Sequence, residues 1–327
     1  MKTMRFFLFS LALAGILTAC SKDESVELLK DEQAISFRLQ GSTPSTILRA
    51  TATTTGNVDA FVVWGTDNVF GAVPGLIFDG ITVARKVSSN DFEYSPLKYY
   101  GEGATNAGFF AISPVSAKVT IPAITNFMTN GASFDYTVPA PDGSGDAIQE
   151  DLLVAGAVLN PSVNPAVSLQ FKHALSRIFV TATNDAADPV IIESLSLVNV
   201  IKTGTLEVNT DCTWDWVPDE GKIGNYPYTL AQTGVAVPQT STAKLVTSME
   251  QGMLILPQKI VNNDVNDFAL KVVYSFANLE HQEKYILIDD GFKFLFNTQY
   301  RINIHFGVGA IIGFTIDVLP FEDYIDD

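Results

Sequence analysis

The chain has 327 residues, of which 47% are hydrophobic and 17% are charged, and its formal net charge is -16. This apolar fraction supports packed cores and excludes a largely disordered chain. The acidic excess disfavours a nucleic-acid partner, because phosphate binding rewards clustered lysine and arginine.

The first 20 residues, MKTMRFFLFSLALAGILTAC, have the organisation of an export signal. Lys2 and Arg5 precede an apolar run at 6–17 that is too short for a permanent membrane-spanning helix. The run leads into Leu-Thr-Ala-Cys, which resembles the lipobox of bacterial lipoproteins. We therefore predict a lipoprotein signal peptide at 1–19 and lipidation of Cys20, whose acyl chains would anchor the chain in the outer membrane. A plain secretory signal with an incidental cysteine is the alternative.

Beyond this signal, most segments alternate apolar and polar residues between Gly, Pro, Asn and Asp clusters, as β-strands do. The SKDE stretch at 21–24 is either a surface-export signal or a solvated tether. The best candidate for a short helix is 123–131. Strands are predicted at 34–40, 58–65, 80–87, 109–115, 133–139, 166–173, 177–184, 191–200, 252–258, 269–276, 284–289, 300–306 and 313–327.

Regular spacing of short strands favours β-sandwiches. The segment GAVLNPSVNPA, which begins at residue 156, holds two prolines, two asparagines and no charge. We place a domain boundary near 156–165. Cys20 is expected to carry lipid, so Cys212 has no disulfide partner and is expected to be a small buried hydrophobe.

Catalytic and metal-binding patterns are not found in the sequence. The three histidines, His173, His281 and His305, lack metal-ligand spacing, and His173 lies in an alternating strand where a structural role is expected. No nucleophile elbow, phosphate-binding loop or zinc-protease motif occurs. Acidic clusters at 141–146 and 262–267 lack the spacing of an EF-hand and are interpreted as solvated turns. We therefore expect no enzyme, no cofactor and no metal.

The stretch EDLLVAGAVLNPSVNPAVSLQFKHALSRIFVTA, residues 150–182, resembles the central signature of the fimbrillins, the pilus subunits of Bacteroidetes. Asp-Leu-Leu at 151–153 and Phe-Lys-His-Ala-Leu at 171–175 carry the resemblance. Three further pieces follow the family in order: FVVWG (61–65), LILPQ (254–258) and LPFEDY (319–324). Phe321 stands where the family pattern has tryptophan.

The resemblance implies an all-β chain of two tandem transthyretin-like, Greek-key β-sandwich domains, here at 50–160 and 161–327. It also implies export as a lipoprotein, cleavage after an arginine by an arginine-specific or trypsin-like protease, and loss of the first strand. A C-terminal strand from another subunit would then fill the vacated groove.

The matching parts can be named in this sequence. Residues 20–49 would be the tether and removable strand, with Ile35, Phe37 and Leu39 facing the core. The cut would fall between Arg49 and Ala50. Arg49 is the single lysine or arginine between Arg38 and Arg85, in a proline-containing, threonine-rich segment. A solvated linker residue is the alternative.

The candidate donor strand is 313–327, with Phe314, Ile316 and Val318 spaced by two to fill successive pockets. Pro320 would end its regular pairing. An ordinary last strand of its own domain is the alternative.

The leading hypothesis is a structural subunit, stalk or tip, of an adhesive cell-surface fimbria, with other subunits of the same or another kind as partners. The alternative is an uncleaved surface lipoprotein that anchors a pilus or binds a host or glycan ligand. For a glycan ligand, Trp214 and Trp216 are the candidate contacts, because their segment at 211–221 is expected to be the more exposed, whereas Trp64 is expected in the core.

Overall fold

The computed structural model describes residues 34–40, 58–68, 76–87, 91–117, 119–120, 127–139, 149–228, 230, 234–247, 252–262, 267–277, 279–308 and 310–321. Within these ranges the regular elements are strands, apart from one four-residue helix, α1 (Phe127–Asn130), inside the predicted helical segment. The predicted all-β class is confirmed.

The strands follow one another closely along the chain. The first twelve are β1 (Ser36–Leu39), β2 (Ala60–Asp67), β3 (Leu76–Arg85), β4 (Phe92–Glu93), β5 (Ala107–Ser113), β6 (Val119–Thr120), β7 (Ala132–Thr137), β8 (Leu153–Leu159), β9 (Ala166–Leu169), β10 (Lys172–His173), β11 (Ser176–Asn184) and β12 (Val190–Ile201). The next twelve are β13 (Thr203–Val208), β14 (Trp214–Pro218), β15 (Ile223–Tyr228), β16 (Val235–Val237), β17 (Thr240–Leu245), β18 (Met253–Ile255), β19 (Gln258–Lys259), β20 (Ala269–Phe276), β21 (Leu279–Leu287), β22 (Lys293–Phe294), β23 (Thr298–Gly307) and β24 (Ala310–Pro320).

The first half is organised around a six-stranded antiparallel sheet with the order β10-β8-β5-β2-β3-β4. Its central strand β5, AGFFAIS, is buried along its whole length because both faces are covered. Phe109 enters a core cluster shared with β1 and β9. Phe110 enters a second cluster on the other face, where it stacks on Phe134 with ring centroids 5.0 Å apart.

A four-stranded sheet, β14-β13-β7-β6, combines strands from both sides of residue 160. Its β7 pairs antiparallel with β13, so that Phe134 lies opposite Leu206. In addition, β8 continues as a strand to Leu159, into the segment where the proline and asparagine content suggests a linker. The division at 160 stays a prediction, and the hydrogen bonding of this sheet runs across it.

The second half contains two five-stranded sheets. One has the order β17-β11-β23-β24 with β18 also on β11, and the other has the order β15-β12-β20-β21 with β16 also on β12. Alternating apolar residues from both sheets meet in one core; for example, Tyr274 of β20 lies edge to face with Phe306 of β23, with centroids 5.1 Å apart. This interleaving of two inner faces is the packing of a β-sandwich. A short pair, β19-β22, completes the strands.

Candidate functional site

The first strand, β1, has the alternation that the sequence predicts. Ile35 and Phe37 are 2% and 5% exposed, and Leu39 packs against the same core cluster at partial burial. We call these three residues the first-strand triplet. Ser36 and Arg38, on the opposite side, are exposed. The period-two pattern therefore places three apolar side chains in the core and leaves the polar ones in solvent.

The neighbour of β1 is β9, far along the sequence and parallel to it. Ser36 pairs with Ala166, and the register continues to Leu39 opposite Leu169. Within the described part of the chain, β1 pairs with β9 alone. The first strand is thus an edge element whose removal would break one strand pairing. We call the space that it fills the first-strand groove.

The centre of this groove is a pocket for one aromatic ring. Four rings surround Phe37 edge to face, and we call them the pocket rings: Phe61, Phe78, Tyr94 and Phe109, at centroid distances of 5.6, 5.3, 5.8 and 5.9 Å. Gly65 leaves room for the Phe109 ring, because a Cβ at residue 65 would lie only 2.6 Å from that ring. Edge-to-face pairs contribute about 0.5–1.5 kcal/mol each beyond simple burial.

Polar groups fix both ends of β1. The Ile35 N–H donates to the Lys98 carbonyl at 2.9 Å, and the Tyr94 hydroxyl donates to the Ile35 carbonyl at 2.6 Å. At the other end the Gln40 N–H donates to the Leu169 carbonyl at 2.8 Å. Burial raises the pKa of Tyr94, so its hydroxyl stays protonated as a donor. The groove therefore suits an extended strand with apolar side chains at alternate positions.

The candidate donor strand lies in β24, at the edge of its own sheet. It pairs antiparallel with β23, with Phe314 opposite Ile304 and Ile316 opposite Ile302. Phe314 and Ile316 are half-buried against the core, whereas Val318 is 59% exposed. Among the described residues β24 is thus an edge strand of its own sheet, and donation to another subunit stays a prediction.

The fimbrillin-like signature forms a buried junction beneath the C-terminal end of β24. His173 is 2% exposed, as its structural role requires, and its Nδ1 lies 2.5 Å from Asp151 Oδ2. Its ring stacks on Phe321 with centroids 3.7 Å apart. The guanidinium of Arg177 lies 4.2 Å from the centroid of the same Phe321 ring. Phe321 therefore ties the end of β24 to the signature through stacking and cation–π contacts.

The tryptophans differ from the expected exposed pair. Trp216 is 7% exposed, and its indole N–H donates to the Ala174 carbonyl at 2.6 Å. The exposed position expected for Trp216 is wrong, because its ring is buried and its single donor is engaged, while its ligand contact stays a prediction. Trp214 is partly buried, with its ring 4.6 Å from that of Phe296. Trp64 is buried in the core, as predicted.

Three predicted processing residues, Cys20, Arg49 and Ala50, lie outside the described residues. Cys212 is buried, and burial raises the pKa of its thiol to about 12. No described helix is long and apolar enough to cross a membrane. Across the described ranges, no cluster of three or more His, Cys, Asp or Glu side chains could hold a metal ion.

Sequence reasoning missed most of the groove wall. Phe61 and Phe109 lie in predicted strands, but their spacing does not show that their rings meet around Phe37. Phe78 and Tyr94 lie outside the predicted strands altogether, and no local signal identifies them. Only the alternation of β1 itself indicates that a matching groove must exist.

Comparisons with known proteins point to one family. A family model described as fimbrillin-like matches residues 49–320. A search of curated protein sequences gives no match. A solved fimbrial protein from Bacteroides vulgatus is 14% identical, with a TM-score of 0.64 over 88% of this chain and 99% of that chain. A proposed cell adhesion protein from Bacteroides uniformis is 15% identical, with a TM-score of 0.54 over 88% and 99% of the two chains. Another, from Bacteroides ovatus, is 14% identical, with a TM-score of 0.54 over 90% and 99%. At these identities the structural likeness shows the fold.

Proposed function

Because the chain belongs to the fimbrillin-like family, we propose that it is a non-enzymatic structural subunit of a cell-surface fimbria that assembles by strand exchange. The chain is exported as a lipoprotein through Cys20 and held in the outer membrane. A trypsin-like or arginine-specific protease then cuts between Arg49 and Ala50, and β1 leaves the groove. The partners are other fimbrial subunits, one of which supplies the replacing strand.

The observation that carries this proposal is the position of β1 relative to the family match. The match covers residues 49–320 and begins at the predicted cleavage residue, so β1 lies wholly outside it. Yet Ile35 and Phe37 of β1 are buried in the core. A segment outside the matched region that fills a core position is what a replaceable strand requires.

Strand replacement is energetically reasonable at this groove. An empty groove leaves the edge of β9 unpaired and the pocket rings partly exposed, and both features favour addition of an extended strand. An incoming strand restores backbone hydrogen bonds and buries apolar side chains at the same time. The joint can thus be long-lived without any covalent link.

The test is limited proteolysis of the full chain with trypsin and with an arginine-specific protease, followed by N-terminal sequencing and gel analysis. The unsubstituted chain is expected to begin at Ala50 and to form a ladder of polymers. Arg49→Ala should prevent both with either protease. Arg49→Lys should be cut by trypsin but not by the arginine-specific protease, which separates the two protease classes. Arg38→Ala is the matched control, because it removes the other nearby arginine.

Polymers from Arg49→Ala that match those of the unsubstituted chain would remove the cleavage step from the proposal. A chain cut after Arg49 that stays monomeric would contradict strand exchange. N-terminal sequencing of the protein taken from the cell surface applies the same test to the natural material.

An uncleaved surface lipoprotein that anchors a pilus is the second candidate. It is favoured by the filled groove and by the placement of β24 in its own sheet, since both strands are satisfied within one chain. Recovery of a surface form that still begins at lipidated Cys20 would support this alternative.

A further inference from the structure

A short apolar pattern occurs twice in the chain. The pattern is isoleucine, any residue, phenylalanine, any residue, then leucine or isoleucine. Of the 22 phenylalanines, only Phe37 and Phe314 stand at its centre. The first copy is the first-strand triplet, and the second comprises Ile312, Phe314 and Ile316 of β24. The C-terminal strand thus repeats the first two side chains that fill the groove, in the same order, and has isoleucine in place of the third, Leu39.

Within its own sheet β24 does not use this set as one face. The pairing with β23 shifts at a bulge, so that Ile311 lies opposite Phe306 while Gly313 lies opposite His305. Ile312 falls in the bulge and is 63% exposed. In a regular strand, Ile312, Phe314 and Ile316 would share one face. Ile312 therefore covers Gly307 of β23 from the solvent side and is not part of the core cluster, so its transfer to the groove would leave that cluster intact.

We propose that β24 of a second copy of this chain replaces β1 with Phe314 in the pocket of Phe37. Ile312 takes the place of Ile35, and Ile316 takes the place of Leu39. This inference rests on the proposed strand exchange and deepens it by naming the partner and its register. In this register the inserted side chains are Ile312, Phe314 and Ile316. Residue spacing alone suggests a different set, namely Phe314, Ile316 and Val318.

The shape of the pocket decides between the two registers. With Phe314, Ile316 and Val318 as the inserted set, Ile316 would stand among the four pocket rings in place of Phe37. A smaller branched side chain would lose edge-to-face contacts and leave part of the pocket empty. With Phe314 at the centre, an aromatic ring meets the same four rings.

The direction of the incoming strand follows from the polar groups of the groove. Running parallel to β9, as β1 does, the strand places the Ile312 N–H at the Lys98 carbonyl and the Asp317 N–H at the Leu169 carbonyl. These acceptors now bind the N–H groups of Ile35 and Gln40. Pro320 lies outside the register, so its missing N–H costs no hydrogen bond.

Polar pairing on the outer side is also preserved. Arg38 Nε donates to Ser168 Oγ at 2.6 Å and is the register partner of Ser168. In the proposed register Thr315 takes the place of Arg38, and its hydroxyl can bond to Ser168 in the same way. Among described strands, β24 pairs with β23 alone. Its departure breaks that pairing, the core contacts of Phe314 and Ile316, and the contacts of Phe321 with His173 and Arg177.

Disulfide trapping between copies tests the register. Thr315→Cys subunits are mixed with Ser168→Cys subunits, treated with trypsin and oxidised, and the linked peptides are identified by mass spectrometry. Cleavage after Arg49 removes Cys20, and Cys212 is buried. A polymer ladder with a disulfide between positions 315 and 168 is expected.

Two further pairings serve as matched controls at exposed or half-exposed positions. A disulfide from Asp317→Cys to Ser168→Cys would show the register of Phe314, Ile316 and Val318, and would overturn the inference. A disulfide from Thr315→Cys to Ala166→Cys would also overturn it, since that pairing requires a different register or the opposite strand direction.

The remaining outcomes separate this inference from the proposed function. Absence of any ladder after cleavage would remove strand exchange and the inference together. A ladder in which none of the three pairs forms a disulfide would show that another segment fills the groove. That result would overturn the register while leaving strand exchange intact. Phe314→Ala should abolish the ladder and Val318→Ala should preserve it, with thermal unfolding of each uncut variant as the folding control.

Discussion

Replacing Phe37 with alanine tests whether β1 contributes to the core of this protein. The change removes a ring that is 5% exposed and lies 5.3–5.9 Å, centroid to centroid, from four others. Loss of a buried phenylalanine costs about 3–5 kcal/mol. Because three of the four pocket rings, Phe61, Phe78 and Phe109, stand on neighbouring strands of one sheet, we expect little collapse of the cavity and a value in this range.

Hydrogen exchange is the suitable assay, since a chain with two core clusters need not unfold in one step. The amides of β9, which face β1, should exchange faster by a factor of about one hundred to several thousand, the equivalent of that free energy. Arg38→Ala is the matched control on the exposed side of β1. It removes one surface hydrogen bond and should change protection by less than about tenfold.

Proteolytic cleavage after Arg49 provides a second control for the Phe37→Ala substitution. After removal of residues 1–49, the chains with and without Phe37→Ala have the same sequence and should show the same exchange. Equal exchange of β9 in uncut Phe37→Ala and uncut Arg38→Ala would refute the view that β1 completes the core. It would also remove the main support for a replaceable strand.

Three further outcomes are expected. Phe321→Ala removes the ring stacked on His173 and should lower the free energy of local unfolding around it by about 3 kcal/mol, measured by hydrogen exchange of the adjoining strands; a change below about 1 kcal/mol would contradict the junction. Trp216→Phe leaves the Ala174 carbonyl without its donor and should cost about 1–3 kcal/mol in the same assay, whereas no loss would show that this bond is replaceable. The Cys212 thiol, whose pKa burial raises to about 12, should resist iodoacetamide at pH 9 in the folded chain and react after unfolding, as read from its peptide by mass spectrometry. The contribution of the buried Cys212 thiol to stability is fully present below the unfolded-state pKa near 9 and is lost as pH rises toward 12. Rapid labelling of the folded chain by iodoacetamide would refute the burial of Cys212.

Local patterns in the sequence predict individual strands well, because alternation is a property of neighbouring residues. The segment 269–276 is predicted and observed with the same bounds, and β1 and β24 lie where alternation indicates them. The signature histidine, His173, is buried as expected.

Pairing partners could not be predicted, because they depend on residues far apart in the chain. Nothing near Phe37 indicates that β1 lies parallel to β9, and nothing in β7 indicates that it pairs with β13 across the expected domain boundary. Trp216 is wrongly expected at the surface, since its polar neighbours conceal the inward alternation of β14. The bulge at Ile312 likewise arises from the pairing of β24 with β23 and has no local sequence signal.

The parallel pairing of β1 with β9 has a consequence for the order in which the chain folds. Arg38 and Ser168 are 130 positions apart, so the first strand emerges long before its partner exists. Such long-range closure is slow compared with the formation of hairpins. If the proposed cut after Arg49 falls in this interval, the first strand is lost while the groove is still unbuilt. A cut at that stage would yield a subunit whose groove has never been filled. Under the proposed strand exchange, the relative rates of folding and proteolysis, rather than affinity alone, would decide whether a newly made chain is a stored precursor or an immediate acceptor.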